Sequence, residues 1–177
     1  MTCRWLNIWN LRSPRCAFQW KYLLQAEVPV LNLGSGEDDL GFGDYAVHLD
    51  LLPFPRLQSF VQADAYHIPF ADESFDTVIM GDIVEHLERP WEAIEEAARV
   101  TKYRLVMSIF HESRLPRGYT PPRVKWSGHC WNFDDGMIDR LTDIGGWQRI
   151  EARYQPEVVH EGQQFYNWLI AAERKVH

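Results

Sequence analysis

VPVLNLGSG, residues 28–36, is the stretch that decides the fold. Val28 to Leu33 is a short apolar run that stops abruptly at Gly34-Ser35-Gly36. Such a run, ended by glycine, reads as a strand buried in a parallel sheet and followed by a tight turn.

Three runs of the same kind follow, and each ends at a polar break. YAVHL at 45–49 is closed by Asp50, FVQA at 60–63 by Asp64, and FDTVIM at 75–80 by Gly81-Asp82. A helix comes next. Pro90 suits its first turn, where a missing N–H costs nothing. Trp91, Ile94 and Ala98 share one face at helical spacing, and Arg99 and Lys102 complement the dipole near its end. RLVMSIF at 104–110 is a fifth strand. Asp134 can cap a second helix whose apolar face is Met137, Ile138, Leu141 and Ile144, with Gly145-Gly146 ending it. Trp147 to Tyr154 and Phe165 to Glu173 are the sixth and seventh strands.

Strands alternating with crossovers predict an α/β fold with a Rossmann-like, mostly parallel seven-stranded sheet. The last two strands have no helix pattern between them, so the last one returns antiparallel. Only about a dozen residues separate Gly34 from the second strand, and Pro53 and Pro55 interrupt the next crossover. A crossover with a full helix needs at least about 10–12 residues, so the helices of the first half are abbreviated. Ligands in such sheets sit beyond the carboxyl ends of the strands. Gly34, Asp50, Asp64 and Asp82 therefore gather along one edge, around a polar ligand.

The 177 residues fit one domain, divided here into an N-terminal helical and aromatic segment (1–27), a ligand-binding core (28–110), and a lid with a C-terminal helix-strand-strand unit (111–177). A net charge of -7 argues against a nucleic-acid partner. Cys3, Cys16 and Cys130 are too few and scattered for a disulfide framework or zinc site, which points to a reducing cytoplasm. No apolar run approaches the roughly 20 residues needed to span a bilayer. The first segment interleaves Arg4, Arg12, Arg15 and Lys21 with Trp5, Trp9, Phe18, Trp20 and Tyr22. It reads as a helix packed on the domain or over its cleft; a targeting peptide or membrane-surface helix are the alternatives.

Three segments together resemble the class I S-adenosylmethionine-dependent methyltransferases, in a small type 11-like form. LNLGSG at 31–36 resembles their glycine-rich first motif, HIPFADESFDTVIM at 67–80 the stretch entering their fourth strand, and EHLERPWEAIEEAARV at 85–100 the helix after it. The resemblance implies S-adenosylmethionine as cofactor. It implies that Gly34, Ser35 and Gly36 approach the ligand closely, and that Asp50 accepts from the ribose hydroxyls. It also implies that Leu51 packs on the adenine, that Asp64 and Ala65 meet its amino group, and that Gly81 and Asp82 border the methionine half. Asn32 stands where the family usually has an acid that holds the cofactor's amino group; it counts among the expected cofactor-binding residues, able to accept one hydrogen bond but bringing no charge.

The reaction expected is transfer of a methyl to a small-molecule oxygen or nitrogen by in-line displacement. His86, at the strand-helix corner, is the candidate base, because histidine titrates near neutrality; His111 and His129 are second choices. Asp82, Glu85 and His86, at i, i+3 and i+4 of a helical corner, could hold a divalent ion, though no metal is assigned. Arg114, Arg117, Arg123 and Lys125 make the loop after the fifth strand basic and favour an anionic acceptor. Trp126 and Trp131 could wall an apolar one. The alternatives are a catalytically silent methyltransferase-like module acting through a partner protein, and a nicotinamide-dependent oxidoreductase. The latter lacks its third glycine here.

Overall fold

In the computed structural model, Val30–Leu33 forms β1, and all four of its residues are buried. The structure describes residues 13–37, 41–54, 56–111, 118–119, 128–160 and 163–175. Around β1 lie β2 (Val47–Asp50), β3 (Phe60–Gln62), β4 (Phe75–Gly81) and β5 (Thr101–His111). β8 (Trp147–His160) and β9 (Gln163–Arg174) complete a seven-stranded sheet of order β3-β2-β1-β4-β5-β9-β8. β1 pairs in parallel with both β2 and β4. β9 runs antiparallel between β5 and β8, as two strands joined without a helix require. The chain moves outward from β1 to β3, then returns to place β4 on the other side of β1. That reversal opens a crevice at the carboxyl ends of β1 and β4.

Alternation along the strands sends two sets of side chains to two faces. Leu31, Leu33, Val78, Met80, Leu105, Met107 and Ile109 pack with α2 (Pro90–Val100) and α3 (Asp135–Thr142). Val30, Ile79, Val106, Leu169 and Ala171 pack on the opposite face with α1 (Pro14–Leu23). α1 starts at Ser13, whose hydroxyl accepts from the Cys16 N–H, and Pro14 occupies its first turn. It buries Phe18, Trp20 and Leu23, so the packed helix expected of the N-terminal segment is present from Pro14 onward. Residues 1–12, with Arg4, Trp5, Trp9 and Arg12, lie outside the described residues.

The first two crossovers are abbreviated, as expected. Their described residues hold one 3-10 turn, Gly43–Tyr45, and no α-helix. Phe42, fully buried and edge-on to Trp20 at 5.4 Å, fills space that a crossover helix would cover.

Several boundaries differ from the sequence reading. β1 begins at Val30, since Val28 is 80% exposed. α3 is capped by Asp134, as expected, but ends at Thr142, so Ile144 packs from the loop beyond it. The stretch after the fifth strand, expected to be loop, contributes β6 (Gly118–Tyr119), which pairs with β7 (Trp131–Asn132). Two-residue strands lie below what a period-two pattern can reveal. Cys16 and Cys130 are buried and not disulfide-bonded, and no described helix is long and apolar enough to cross a membrane.

Candidate active site

A cavity of about 640 Å³ lies at the carboxyl ends of β1, β2, β3 and β4. One wall is the turn after β1. Gly34 and Ser35 both donate their N–H to the Leu49 carbonyl, at 2.8 and 3.1 Å. Gly34 has φ +72°, and a Cβ there would lie 2.3 Å from the Ile83 Cδ1. Only glycine satisfies both conditions.

Asp50, the last residue of β2, joins two loops. Its Oδ2 accepts from Gly36 N–H at 2.9 Å and its Oδ1 from Leu52 N–H at 2.9 Å. A carboxylate has about four acceptor positions, so both oxygens retain capacity toward the cavity. Leu51 and Leu52 beside it are each 62% exposed. Asp64, after β3, accepts from the Tyr66 N–H at 3.0 Å in a tight local turn, and buried Ala65 lines the cavity between them. Arg89 lies over the Tyr66 ring at 4.5 Å and closes this end.

Gly81 and Asp82 border the other end. Asp82 has φ +51°, a left-handed conformation that Asp tolerates better than most residues. Its N–H donates to the Ser108 carbonyl at 2.9 Å, and its Oδ1 accepts from the Ser108 hydroxyl at 2.5 Å. Its Oδ2 forms an ion pair with Arg15 of α1. Nothing in the spacing of residues 15 and 82 signals that pair, and Arg15 stood in the sequence reading only as one of several N-terminal cations.

Asn32 does not line the cavity. It is 1% exposed, side by side with His48 of β2. The Gly43 carbonyl, 2.8 Å from His48 Nε2, can only accept, so Nε2 carries the hydrogen. Nδ1 is left to accept from the Asn32 amide at 3.3 Å. The amide supplies the donor that an accepting Nδ1 needs.

His86 ends a 3-10 turn, Val84–His86, and is exposed at the cavity. The His129 ring stands 4.5 Å from it. Burial, and then the neighbouring His86, push His129 down to about 4, which keeps its ring neutral above that pH. Glu85 is fully buried; its Oε1 accepts from Phe110 N–H at 2.8 Å, and its Oε2 has no hydrogen-bond partner among the described residues. Burial, and then the Asp82 charge, hold Glu85 well above the usual carboxylate range and favour the protonated acid.

Glu85, His86 and His129 each offer one ligand atom within 4.8 Å of the others. The trio expected from spacing was Asp82, Glu85 and His86. Asp82 is instead turned to Arg15 and Ser108, because a left-handed residue followed by a 3-10 turn breaks α-helical i, i+4 geometry. His129, more than forty residues along the chain from Glu85 and His86, takes the third place. His111 is buried and its Nδ1 donates to the Phe133 carbonyl at 3.1 Å, away from the cavity lining. Trp131 packs edge-on against Trp91 at 4.7 Å and belongs to the core periphery. Arg114, Arg117, Arg123, Lys125 and Trp126 lie outside the described residues.

Residues 45–104 match the Methyltransferase domain family. An uncharacterized methyltransferase of Mycobacterium avium is 41% identical over 108 residues, 61% of this chain and 36% of the relative. The chain thus spans only about a third of that relative's length, and 18% of an uncharacterized methyltransferase of Mycobacterium leprae. A SAM-dependent methyltransferase of Methanosarcina mazei superposes with a TM-score of 0.70 at 16% identity, covering 89% of this chain and 97% of that one. A Burkholderia thailandensis 1,6-didemethyltoxoflavin-N1-methyltransferase, with its acceptor and S-adenosylhomocysteine bound, gives 0.69 at 14% identity, covering 96% and 82%. At these identities the structural likeness is one of fold.

Proposed function

We propose that this chain, a class I methyltransferase domain in its fold and in its matched segment, is an S-adenosylmethionine-dependent methyltransferase acting on a small-molecule oxygen or nitrogen. The observation that carries the reading is Asp50. It stands at the end of β2, is held by the Gly36 and Leu52 amides, and keeps acceptor capacity toward the cavity. Vicinal ribose hydroxyls are two donors a few ångströms apart, and such a carboxylate fits them. Gly34, Ser35 and Gly36 let that ligand lie against backbone. Exposed Leu51 and Leu52 offer apolar cover for a base, and Asp64 with Ala65 offers polar contacts to the base's edge. Asn32, out of the cavity, holds the strand ends in place rather than touching the ligand.

When bound, the cofactor supplies a methyl already activated on a sulfonium. The protein's remaining tasks are to orient an acceptor for in-line displacement and to manage its proton. His86, exposed at the cavity, takes the proton from an acceptor hydroxyl or nitrogen. His129, neutral beside it, accepts a hydrogen bond and helps fix the acceptor's direction. The toxoflavin enzyme of the same fold acts on a small heterocycle, which supports a small-molecule acceptor here. The sequence between β5 and β7 is basic, with Arg114, Arg117, Arg123 and Lys125, which favours an anionic one.

The test is incubation with methyl-labelled S-adenosylmethionine and a panel of small hydroxy- and amino-compounds weighted toward carboxylates. Label should appear in a low-mass product, and His86→Ala should lower kcat by about 10²-fold or more while leaving cofactor affinity intact. Label confined to unreacted cofactor across the panel, or an unchanged rate in His86→Ala, would count against the reading.

A further inference from the structure

β8 is an outermost strand of the sheet. It pairs with β9 on one side, and no described strand lies on the other. At 14 residues it is also the longest described strand. An open edge of that length is a ready template for a further strand. Its register against β9 is unbroken from Glu151 to Pro156. In an edge strand proline sits with the side that lacks an N–H turned outward. Backbone direction alternates along a strand, so the N–H and C=O of Ala152 point outward as well. Ile150 and Tyr154, on either side of Ala152, are each 44% exposed. Glu151 and Arg153 pair with Ala171 and Leu169 of β9 and so lie on the face toward α1. There Glu151 accepts from the Tyr22 hydroxyl at 2.5 Å and forms ion pairs with Lys21 and Arg153. The Arg153 side chain remains 57% accessible.

We propose that β8 is the seam of a homodimer, in which a second copy of this chain lays its own β8 antiparallel to it about a two-fold axis at Ala152. Each copy then sets Glu151 opposite Arg153 of the other, and Ile150 opposite Tyr154 of the other. Acid meets base twice on one face, and the two exposed apolar side chains cover each other. The two Ala152 residues at the axis exchange their N–H and C=O bonds, and their small side chains let the strands approach. A two-fold about Tyr154 would set Arg153 against Gln155 and match no charges.

The bland account is a guarded free edge, since bulges and charged side chains are what blunt such edges. The bulges of β8, however, fall between Arg149 and Glu151 and between Pro156 and Val159, at the two ends of the unbroken run. The charges within that run are of both signs and complementary under the two-fold, so they attract a second copy rather than repel it. The pairing also leaves the cavities open. β8 runs parallel to β5, because each is antiparallel to β9. The parallel strands of the second copy therefore point the opposite way, and the two crevices lie on opposite edges of one continuous sheet. The seam stands apart from the cofactor reading and does not rest on it.

The test is sedimentation equilibrium of the full chain over about a hundred-fold range of concentration. The mass should rise to that of two chains at the upper end. Arg153→Glu sets like charges face to face and should raise the dissociation constant about ten-fold or more, with the far-ultraviolet spectrum unchanged. Ile150→Lys, at an exposed bulge, should weaken the dimer in the same direction. Hydrogen exchange at the Ala152 amide should be slow in the wild-type dimer and fast in Arg153→Glu. A single-chain mass at every concentration would overturn the seam, as would a dimer indifferent to both substitutions. Slow exchange at Ala152 in a monomer would mean that another part of the same chain covers the edge, and would overturn it too.

Discussion

At the scale of single residues, the site depends on positions where only one side chain will do. Gly34→Ala sets a methyl 2.3 Å from Ile83 Cδ1 on a backbone at φ +72°. The left-handed conformation alone costs about 1–2 kcal/mol, and displacement of Ile83 adds to it. Urea melts should show that loss or more, and S-adenosylhomocysteine affinity should fall with it. Asn32→Asp is a subtler probe. It removes the donor that His48 Nδ1 uses and buries a charge beside it, so stability should drop by about 1–3 kcal/mol despite near-identical shape. An unchanged melt would show that the Asn32–His48 contact is incidental. The cavity's Asp50, Asp64 and Asp82 were legible because each stands at or just after a strand end, and strand ends are visible as breaks in apolar runs. Arg15 and His129 were not legible as partners of Asp82 and His86. They arrive from an N-terminal helix and a post-β5 loop whose placement depends on tertiary packing.

At the scale of elements, α2 fastens the segment that follows β3. Arg99 donates to the Ile68 and Phe70 carbonyls at 3.0 and 2.9 Å and pairs with Glu96 and Asp72, while Glu96 accepts from the Ile68 N–H at 2.9 Å. The Arg99 hydrogen bond is the main reason Glu96 is held below the usual carboxylate range. Its contribution to stability is therefore present above the unfolded value of about 4.3 and is lost as pH falls through the lower folded value. Chemical denaturation should show Glu96→Gln less stable than wild type at neutral pH, with the gap narrowing below about pH 4. A gap constant with pH would mean that the pair does not titrate with folding. α2 itself was readable from Pro90 and the Trp91, Ile94, Ala98 spacing, whereas the Arg99 latch onto 68–72 was not, since no periodicity links them. α3 shows the limit of end signals. The Gly145-Gly146 stop was visible, but the helix ends three residues sooner, at Thr142.

At the scale of the whole molecule, one topological event creates the site. Four parallel strands end on one edge, and the reversal between β1 and β4 opens the crevice there. That much followed from the order of apolar runs, because parallel crossovers leave few alternatives. α1 covers the opposite face of the sheet, where the described residues of the first two crossovers hold no α-helix, and its N-terminal turn brings Arg15 to the crevice. Ligand binding should therefore stabilise the entire sheet. S-adenosylhomocysteine at about 100 times its Kd should add about 2.7 kcal/mol to unfolding, read as a raised Tm that adenosine matches only at about 100 times its own, higher Kd.

The most direct test of the central claim is calorimetric titration of the purified chain with S-adenosylhomocysteine, with NADH as control and Asp50→Ala as the variant. The account predicts saturable binding of the sulfur ligand by wild type, no comparable binding of NADH, and a loss of about ten-fold or more in Asp50→Ala. Folded wild-type protein that binds NADH instead, or binds neither, would contradict it, as would an Asp50→Ala variant with wild-type affinity.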